Sequence, residues 1–173
     1  RACSQGFGMS LATPSQSALA MRAMTVADLE RVMAVEVQAY SFPWTRGNLI
    51  DSLAAGYSAE LMFGTADELI GYFVAMPGVD ELHLLNLTIA PAQQGRGHGR
   101  ALLAVVEARA RERGLATLWL EVRVSNLRAQ QMYLGRGFVQ QGLRRGYYPA
   151  PGGKREDAVV MNLGLSTGFS WRA

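Results

Sequence analysis

The chain has 173 residues, with 17 Lys and Arg against 14 Asp and Glu, a net charge of +3, 49% apolar residues and 18% charged ones. This fits one globular domain with a sizeable core and excludes an intrinsically disordered chain; no apolar run approaches the roughly 20 residues of a membrane-spanning helix. The single cysteine, Cys3, excludes an intrachain disulfide and suits a reducing cytoplasm, and His83 and His98 lack the partner set of a metal site, so no metal is expected. The mild positive balance suits a polyanionic cofactor or a ribosomal setting, and equally nothing in particular.

Residues 1–23 are small, polar and aperiodic, and read as a disordered tail or cloning remnant; Thr13, Pro14, Ser15, Gln16 and Ser17 break any signal-peptide core, and Met21 and Met24 are candidate natural starts. A domain is expected over 24–165. Thr25 with Asp28 resembles a helix start, and Leu29, Val32, Met33 and Val37 continue as a helical stripe to about Ala39. Tyr40-Ser41-Phe42-Pro43-Trp44-Thr45 follows neither regular period, and is either a hydrophobic plug or one wall of a substrate cleft. Asn48 to Ala54 reads as a second short helix. Ser58 to Gly64, Leu69 to Met76 and Leu82 to Ile89 read as strands joined by polar turns.

Around Leu85 to Gly114 the pattern is strand, glycine-rich loop, helix. Pro91 stops the strand. Gly95, Gly97 and Gly99 lie in the loop, and Leu102, Leu103, Val106 and Ala110 recur at helical spacing while Glu107, Arg109, Arg111, Glu112 and Arg113 take the other face. Free N–H groups and the positive end of the dipole at a helix start suit phosphate oxygens, and Arg96 and Arg100 add charge. The Walker triplet is absent, and the Gly-x-Gly-x-Gly spacing differs from the Rossmann fingerprint. The spacing alone leaves open a flexible loop before an ordinary helix.

Gln94-Gly95-Arg96-Gly97-His98-Gly99-Arg100 resembles the acetyl-coenzyme A loop of the GCN5-related N-acetyltransferases, with its Gln/Arg-x-x-Gly-x-Gly/Ala pattern. The resemblance implies that backbone amides over Gly95, Arg96, Gly97, His98, Gly99 and Arg100 hold the pyrophosphate of coenzyme A. It implies too that Leu87, Thr88 and Ile89 pair with the pantetheine arm. Position 95 is often larger and basic in that family, and position 98 often aliphatic.

Beyond the helix, Leu115 to Val124 alternates, with Leu118, Leu120 and Val122 on one side and Thr117, Trp119, Glu121 and Arg123 on the other. Glu121 is either a strand carboxylate at a solvated face, paired with Arg123 or another arginine, or a general base. Amide formation needs a neutral amine, and a partly desolvated carboxylate is raised toward neutrality. Keeping an α-amine of pKa about 8 neutral at pH 7 costs about 1.4 kcal/mol, against about 4.6 kcal/mol for a lysine of about 10.4. One glutamate fits the α-amine more easily. Ser125-Asn126 can cap a short helix from Leu127 to Leu134 that carries Tyr133. Tyr133 is either an amphipathic core ring or the acid for a departing thiolate. Full transfer from a phenol of about 10 to a thiol of about 8.5 is uphill by roughly 2 kcal/mol, but a hydrogen bond to the developing charge still helps.

Leu118-Trp119-Leu120-Glu121-Val122-Arg123, Ser125-Asn126, Tyr133, Gly137-Phe138, Phe42-Pro43-Trp44, Arg144-Arg145-Gly146-Tyr147-Tyr148-Pro149 and Arg155-Glu156-Asp157-Ala158 together resemble the bacterial ribosomal-protein-alanine N-acetyltransferases (the RimI family), from about Met24 to Leu165. The resemblance implies Glu121 as proton acceptor, Tyr133 as proton donor and Asn126 at the cofactor arm. It implies Phe42 and Trp44 on one wall of the substrate cleft and Tyr147 and Tyr148 on a loop over it. Where Arg136 stands, that family usually has an apolar residue. Ala158 to Leu165 reads as a final strand and 166–173 as a tail.

The expected fold is α/β, the GNAT fold: a single mixed, mostly antiparallel sheet with a central parallel strand pair, flanked by helices. The expected function is Nα-acetyl transfer from acetyl-CoA, as cosubstrate, to a protein N-terminus, by resemblance the N-terminal alanine of a small-subunit ribosomal protein, by direct attack in a ternary complex. A cytoplasmic monomer or weak dimer is expected, without direct contact to nucleic acid or membrane. The competing readings are acetylation of lysine or small-molecule amines, a non-catalytic coenzyme A-binding regulatory module, and a nucleotide-binding domain.

Overall fold

The computed structural model describes residues 19–165. Cys3 and the expected tail segments 1–18 and 166–173 lie outside that range. In chain order the elements are β1 (Ala20–Ala23), a 3₁₀ turn (Val26–Asp28), α1 (Leu29–Ala39), α2 (Arg46–Ala54), β2 (Ser58–Phe63), β3 (Leu69–Pro77), β4 (Glu81–Ile89), α3 (His98–Glu112), β5 (Thr117–Arg123), α4 (Leu127–Gly135), β6 (Val139–Pro149) and β7 (Arg155–Gly164). They form one sheet in the order β1-β2-β3-β4-β5-β7-β6. Among the described residues only β4 and β5 run parallel, and α3 is the crossover between them. This is the mixed, mostly antiparallel sheet expected from the sequence.

The alternation of the strands decides which helices cover which face. Met62 on β2, Phe73 and Ala75 on β3, Leu82 and Leu84 on β4, and Leu118 and Leu120 on β5 pack against Leu102, Leu103, Val106 and Ala110 of α3. Leu61 on β2 and Tyr72 and Val74 on β3 point the opposite way, onto Leu29 and Val32 of α1 and Leu49 of α2. Among the described residues no helix is long and apolar enough to cross a membrane.

Three expectations need correction. Ala20–Ala23, read as part of the tail, is an edge strand paired antiparallel with β2 from Ala20↔Phe63 to Ala23↔Glu60. An edge strand of four residues needs a partner ladder more than an apolar pattern, and Arg22 supplies the rest. Its guanidinium lies 4.8 Å from the Phe63 ring centre and binds both oxygens of Asp28, at 2.6 and 2.9 Å. The second correction is β6. The stretch expected as a loop bearing Tyr147 and Tyr148 is a strand on the outer edge of β7, with Tyr148 opposite Glu156. It is exposed along most of its length and interrupted by two register shifts, so no period-2 signal marks it. The third is Glu107, assigned to the polar face of α3: it is 1% exposed, bound by Arg136 at 2.6 and 3.0 Å and by Arg111 at 3.3 Å.

The entry to α1 is held by charge. The Asp28 carboxylate accepts from the Thr25 N–H and hydroxyl, each at 2.8 Å, as well as from Arg22. Arg22 above all, with Thr25, holds the Asp28 carboxyl well below the usual carboxylate range, against the opposing effect of burial. A carboxyl depressed in the folded state stabilises that state at pH values above its unfolded pKa of about 3.9, and the stabilisation is lost as pH falls through the folded value. Asp28→Asn is therefore expected to lower the thermal unfolding midpoint at pH 7, with the gap to the wild type narrowing steadily as the pH is taken below about 4. Unfolding followed by circular dichroism at a series of pH values checks both the sign and the window.

Candidate active site

The site originates where two strands part. The β4–β5 ladder runs from Glu81↔Thr117 to Leu84↔Leu120 and stops. Val74 of β3 pairs with Asn86 and Ala75 with Leu84, so Leu85 is an extra residue on β4. Beyond it β4 stays with β3 to Ile89↔Gly71, while β5 stays with β7 to Arg123↔Ala158. The sheet forks, and a cleft of about 1290 Å³ occupies the fork. The bulge also changes which β4 side chains face which layer. Leu82 and Leu84 precede it on the α3 face, Leu87 and Ile89 follow on that same face, and Asn86 and Thr88 turn toward α1.

The glycine loop closes one end of the cleft. Gly97 caps α3 with φ +85°, and no side chain caps that helix start. The first amide bonding back is Ala101 N–H to Gly97 C=O at 3.1 Å, so the earlier N–H groups are not used by the helix itself. Gly99 is close-packed for a different reason: a Cβ there would come within 3.2 Å of the Met132 sulfur on α4, which would have to shift slightly. Arg128 of α4 brings its Nη2 within 3.7 Å of where a Cβ on Gly95 would stand. Gly95, Gly97, Gly99, Arg100, Arg128 and Asn126 all line the cleft. Arg96 and His98, expected in the phosphate cradle, do not line it; His98 is the first residue of α3. The backbone amides there, the open arm of β4 and two arginines suit a long anionic ligand with an extended, amide-bearing arm.

On the other arm, Glu121 is the first β5 residue past the fork. Its Oε1 accepts from Arg144 Nη1 of β6 at 2.9 Å, not from Arg123, and its side chain is 17% exposed. Among the described residues Oε2 has no hydrogen-bond partner. Tyr133, 7% exposed, packs against Phe138 with ring centres 5.5 Å apart and lines the cleft. Burial, with the Tyr40 and Tyr148 phenols nearby, raises the Tyr133 phenol above its ordinary value of about 10. No hydrogen bond joins its hydroxyl to another described residue, and the hydroxyl is not sealed in the core, which leaves it available as a hydrogen-bond donor toward the cleft.

Arg123 joins the two expected substrate walls. Its guanidinium lies 5.9 Å from the Phe42 ring centre and 4.4 Å from that of Tyr148, donates to Pro149 C=O at 2.9 Å and pairs with Glu156 at 3.0 Å. Ser125 and then Arg123 hold the Glu156 carboxyl below its usual range. Tyr148 in turn donates to the Glu121 carbonyl at 3.0 Å. Phe42, Trp44 and Tyr148 line the cleft. Tyr147 does not; it is 41% exposed and meets Tyr148 edge-on at 4.9 Å.

Sequence reasoning missed Glu36, Asn86, Arg123 and Arg128 as lining residues, whereas Tyr40, in the stretch read as either a plug or a cleft wall, lines the cleft. Glu36 had a signal: an acid four residues after Val32 and seven after Leu29, on the core-facing stripe of α1. Arg123 and Arg128 had none, because their partners come from distant strands and loops.

Comparison with known proteins agrees with this architecture. Residues 29–138 match the model of the acetyltransferase (GNAT) family. The chain is similar to the ribosomal protein bS18-alanine N-acetyltransferase of Haemophilus ducreyi, 39% identical over 138 residues, which are 80% of this chain and 94% of that protein. The protein of that name from Escherichia coli K12 is 35% identical over 139 residues, covering 80% and 93%. The crystal structure of the ribosomal-protein-S18-alanine N-acetyltransferase from Escherichia coli superposes with a TM-score of 0.81 at 31% identity, over 90% of this chain and 99% of that one. A Salmonella typhimurium structure with its cofactor acetyl-CoA shares the fold, with a TM-score of 0.70 at 18% identity over 87% and 95%. The chain belongs to the GNAT acetyltransferase family. It is an acetyl-CoA-dependent N-acetyltransferase.

The seat of Tyr133 depends on Arg136. The Arg136–Glu107 ion pair fastens the end of α4 to α3 at the position where an apolar residue is usual. Arg136→Leu is expected to destabilise by about 1 kcal/mol, the low figure appropriate to a pair whose arginine is 46% exposed. Pairing it with Glu107→Leu should cost less than the two single changes together, because no buried carboxylate is then left with only its Arg111 bond. A double-mutant cycle by urea denaturation measures the coupling.

Proposed function

We propose that this enzyme acetylates the free α-amine of a protein N-terminus, with the N-terminal alanine of a small-subunit ribosomal protein as target. One observation carries the reading: the fork holds a carboxylate, Glu121, and the phenol of Tyr133, whose hydroxyl is open to the cleft, in one cleft with an aromatic wall. The proteins similar to this chain over most of their length are named for bS18-alanine acetylation, which supports the choice of substrate.

In this reading the amides around Gly95, Gly97 and Gly99, with Arg100 and Arg128, hold the pyrophosphate of acetyl-CoA, and Asn126 borders its arm. The open edge of Leu87, Thr88 and Ile89 pairs with the pantetheine amides. The amine enters past Phe42, Trp44 and Tyr148. Glu121 takes the amine proton, directly or through a water, as the nitrogen attacks the thioester carbonyl carbon. Arg144 keeps one carboxylate oxygen fixed and leaves the other for that proton. The carbon–sulfur bond breaks, and Tyr133 donates a hydrogen bond to the sulfur as negative charge gathers there. Burial raises the phenol, so Tyr133 acts here as a hydrogen-bond donor, and the thiolate takes its final proton from solvent water as it leaves while Glu121 returns the amine proton to solvent. The reading includes a cytoplasmic enzyme, a monomer or weak dimer, that meets a protein chain and neither nucleic acid nor membrane.

Acetyl transfer is to be measured on two peptides, one beginning with free alanine, the other Nα-blocked with an internal lysine. Only the free α-amine should be modified. Glu121→Gln should lower kcat/KM by about 10²- to 10⁴-fold. Tyr133→Phe should lower kcat by about tenfold or more while leaving acetyl-CoA affinity within about threefold. Modification of the blocked peptide's lysine would replace the N-terminal reading with a lysine one. Tight acetyl-CoA binding without turnover of any amine would leave a regulatory module.

A further inference from the structure

The acid on the core-facing stripe of α1 has no part in the chemistry just described. Glu36 is 1% exposed, as deep as Leu29 and Val32 on the same stripe, yet it borders the cleft. A carboxylate so placed is unfavourable unless each oxygen is bonded, and a leucine there would pack the α1 face without that cost. Both oxygens are bonded. Oε1 accepts from the Trp44 backbone N–H at 2.8 Å. Oε2 accepts from the Tyr72 hydroxyl of β3, whose phenol is held protonated by burial and by Glu36 itself.

What Glu36 ties down is a connection, not another helix. The segment from Tyr40 to Thr45 joins α1 to α2 and crosses the mouth of the fork. At its start the Tyr40 hydroxyl meets Thr88 Oγ1 at 2.9 Å and Leu87 C=O at 3.3 Å, both on the open arm of β4. Midway the Phe42 ring faces the Arg123 guanidinium of β5. At its end the Trp44 N–H meets Glu36. The segment is thus attached to both arms of the fork and anchored from beneath by one buried carboxylate.

We propose that Glu36 is a positioning residue for the amine substrate: through Trp44 and Tyr72 it fixes the Phe42–Trp44 wall at the distance the incoming N-terminus requires. The proposal rests on the reading above, in which that wall receives the amine. Glu36 touches neither acetyl-CoA nor the reacting nitrogen, so its loss should appear in KM for the peptide and not in the chemical step.

The experiment compares the wild type with Glu36→Ala, Glu36→Leu, Glu36→Gln and Tyr72→Phe. It uses an alanine-initiated peptide, acetyl-CoA titration, and hydrogen exchange of residues 40–45 by mass spectrometry. Glu36→Ala and Glu36→Leu should raise peptide KM by about tenfold or more, with kcat and acetyl-CoA affinity within about threefold. Both should exchange faster at 40–45 than the wild type, with the glycine loop unchanged. Glu36→Gln should recover most of both properties, because its carboxamide oxygen still accepts from Trp44 and its NH₂ can donate to the Tyr72 oxygen. Tyr72→Phe, which spares the Trp44 bond, should fall between. Leucine restores the packing that alanine loses, so a defect shared by both separates loss of the bonds from loss of the fold. Unchanged peptide KM and unchanged exchange in folded Glu36→Ala would overturn the proposal. So would a fall in kcat at constant KM, or a Glu36→Gln variant as impaired as alanine. Absence of turnover in the wild type would overturn the N-terminal acetylation reading instead, while exchange at 40–45 would still decide whether Glu36 holds the segment.

Discussion

The extra residue at Leu85 is the constraint on which the rest of the structure depends. A parallel pair of strands at the centre of a sheet normally stays paired to its ends, because each backbone group buried without a partner costs about as much as a lost hydrogen bond. Here the pairing ends at Leu84↔Leu120, and each strand keeps only its outer neighbour. The backbone left open on β4 is tolerated because it borders a cleft instead of apolar core. The Tyr40 hydroxyl reaching Leu87 C=O satisfies part of it. The remaining open edge is the feature an extended amide-bearing ligand can complete, as in β-strand addition.

The same fork organises the charges. Two arginine–glutamate pairs stand side by side beyond it, Glu121 with Arg144 and Arg123 with Glu156. They divide the work. Arg123 is enclosed by Phe42 and Tyr148 and bonded on several sides, so it ties the edge of β6 to the α1–α2 connection. Arg144 is more than half exposed and holds only one oxygen of Glu121. An exposed arginine restrains the orientation of the carboxylate at low electrostatic strength, which leaves Glu121 open on its other oxygen. Away from the cleft, Glu107 is an acid buried on α3 that is accommodated because the half-exposed Arg136, just past the end of α4, reaches in to meet it.

Much was legible in the chain itself. The central strand, the glycine loop and the periodic helix after it were set by local chemistry: a strand-forming run ended by Pro91, glycines at Gly95 and Gly97 that adopt positive φ, and an apolar stripe at helical spacing. Glu121 and Tyr133 were legible as unusual residue types at their positions, an acid on an apolar strand and a phenol in the last turn of a short helix. The β1 and β6 edges were not, because an edge strand takes its order from its partner's ladder and leaves no alternation in its own residues. Glu107 was assigned to the wrong environment, since helical periodicity weighs only residue type and does not register a counter-charge delivered from α4.

The sequence by itself therefore determined the order of the central elements, the parallel crossover and the kinds of groups that line the cleft, because these are marked by residue types and spacings within single segments. The tertiary structure alone decided where the sheet opens, which arginine pairs with Glu121, that Tyr147 turns away from the cleft while Tyr148 enters it, and that Glu36 is bonded by Tyr72 beneath the α1–α2 connection. The bonds of Arg144 and Tyr148 to Glu121 and of Tyr72 to Glu36 join groups more than twenty residues apart in the chain, and only the packing of the sheet against its helices brings them together.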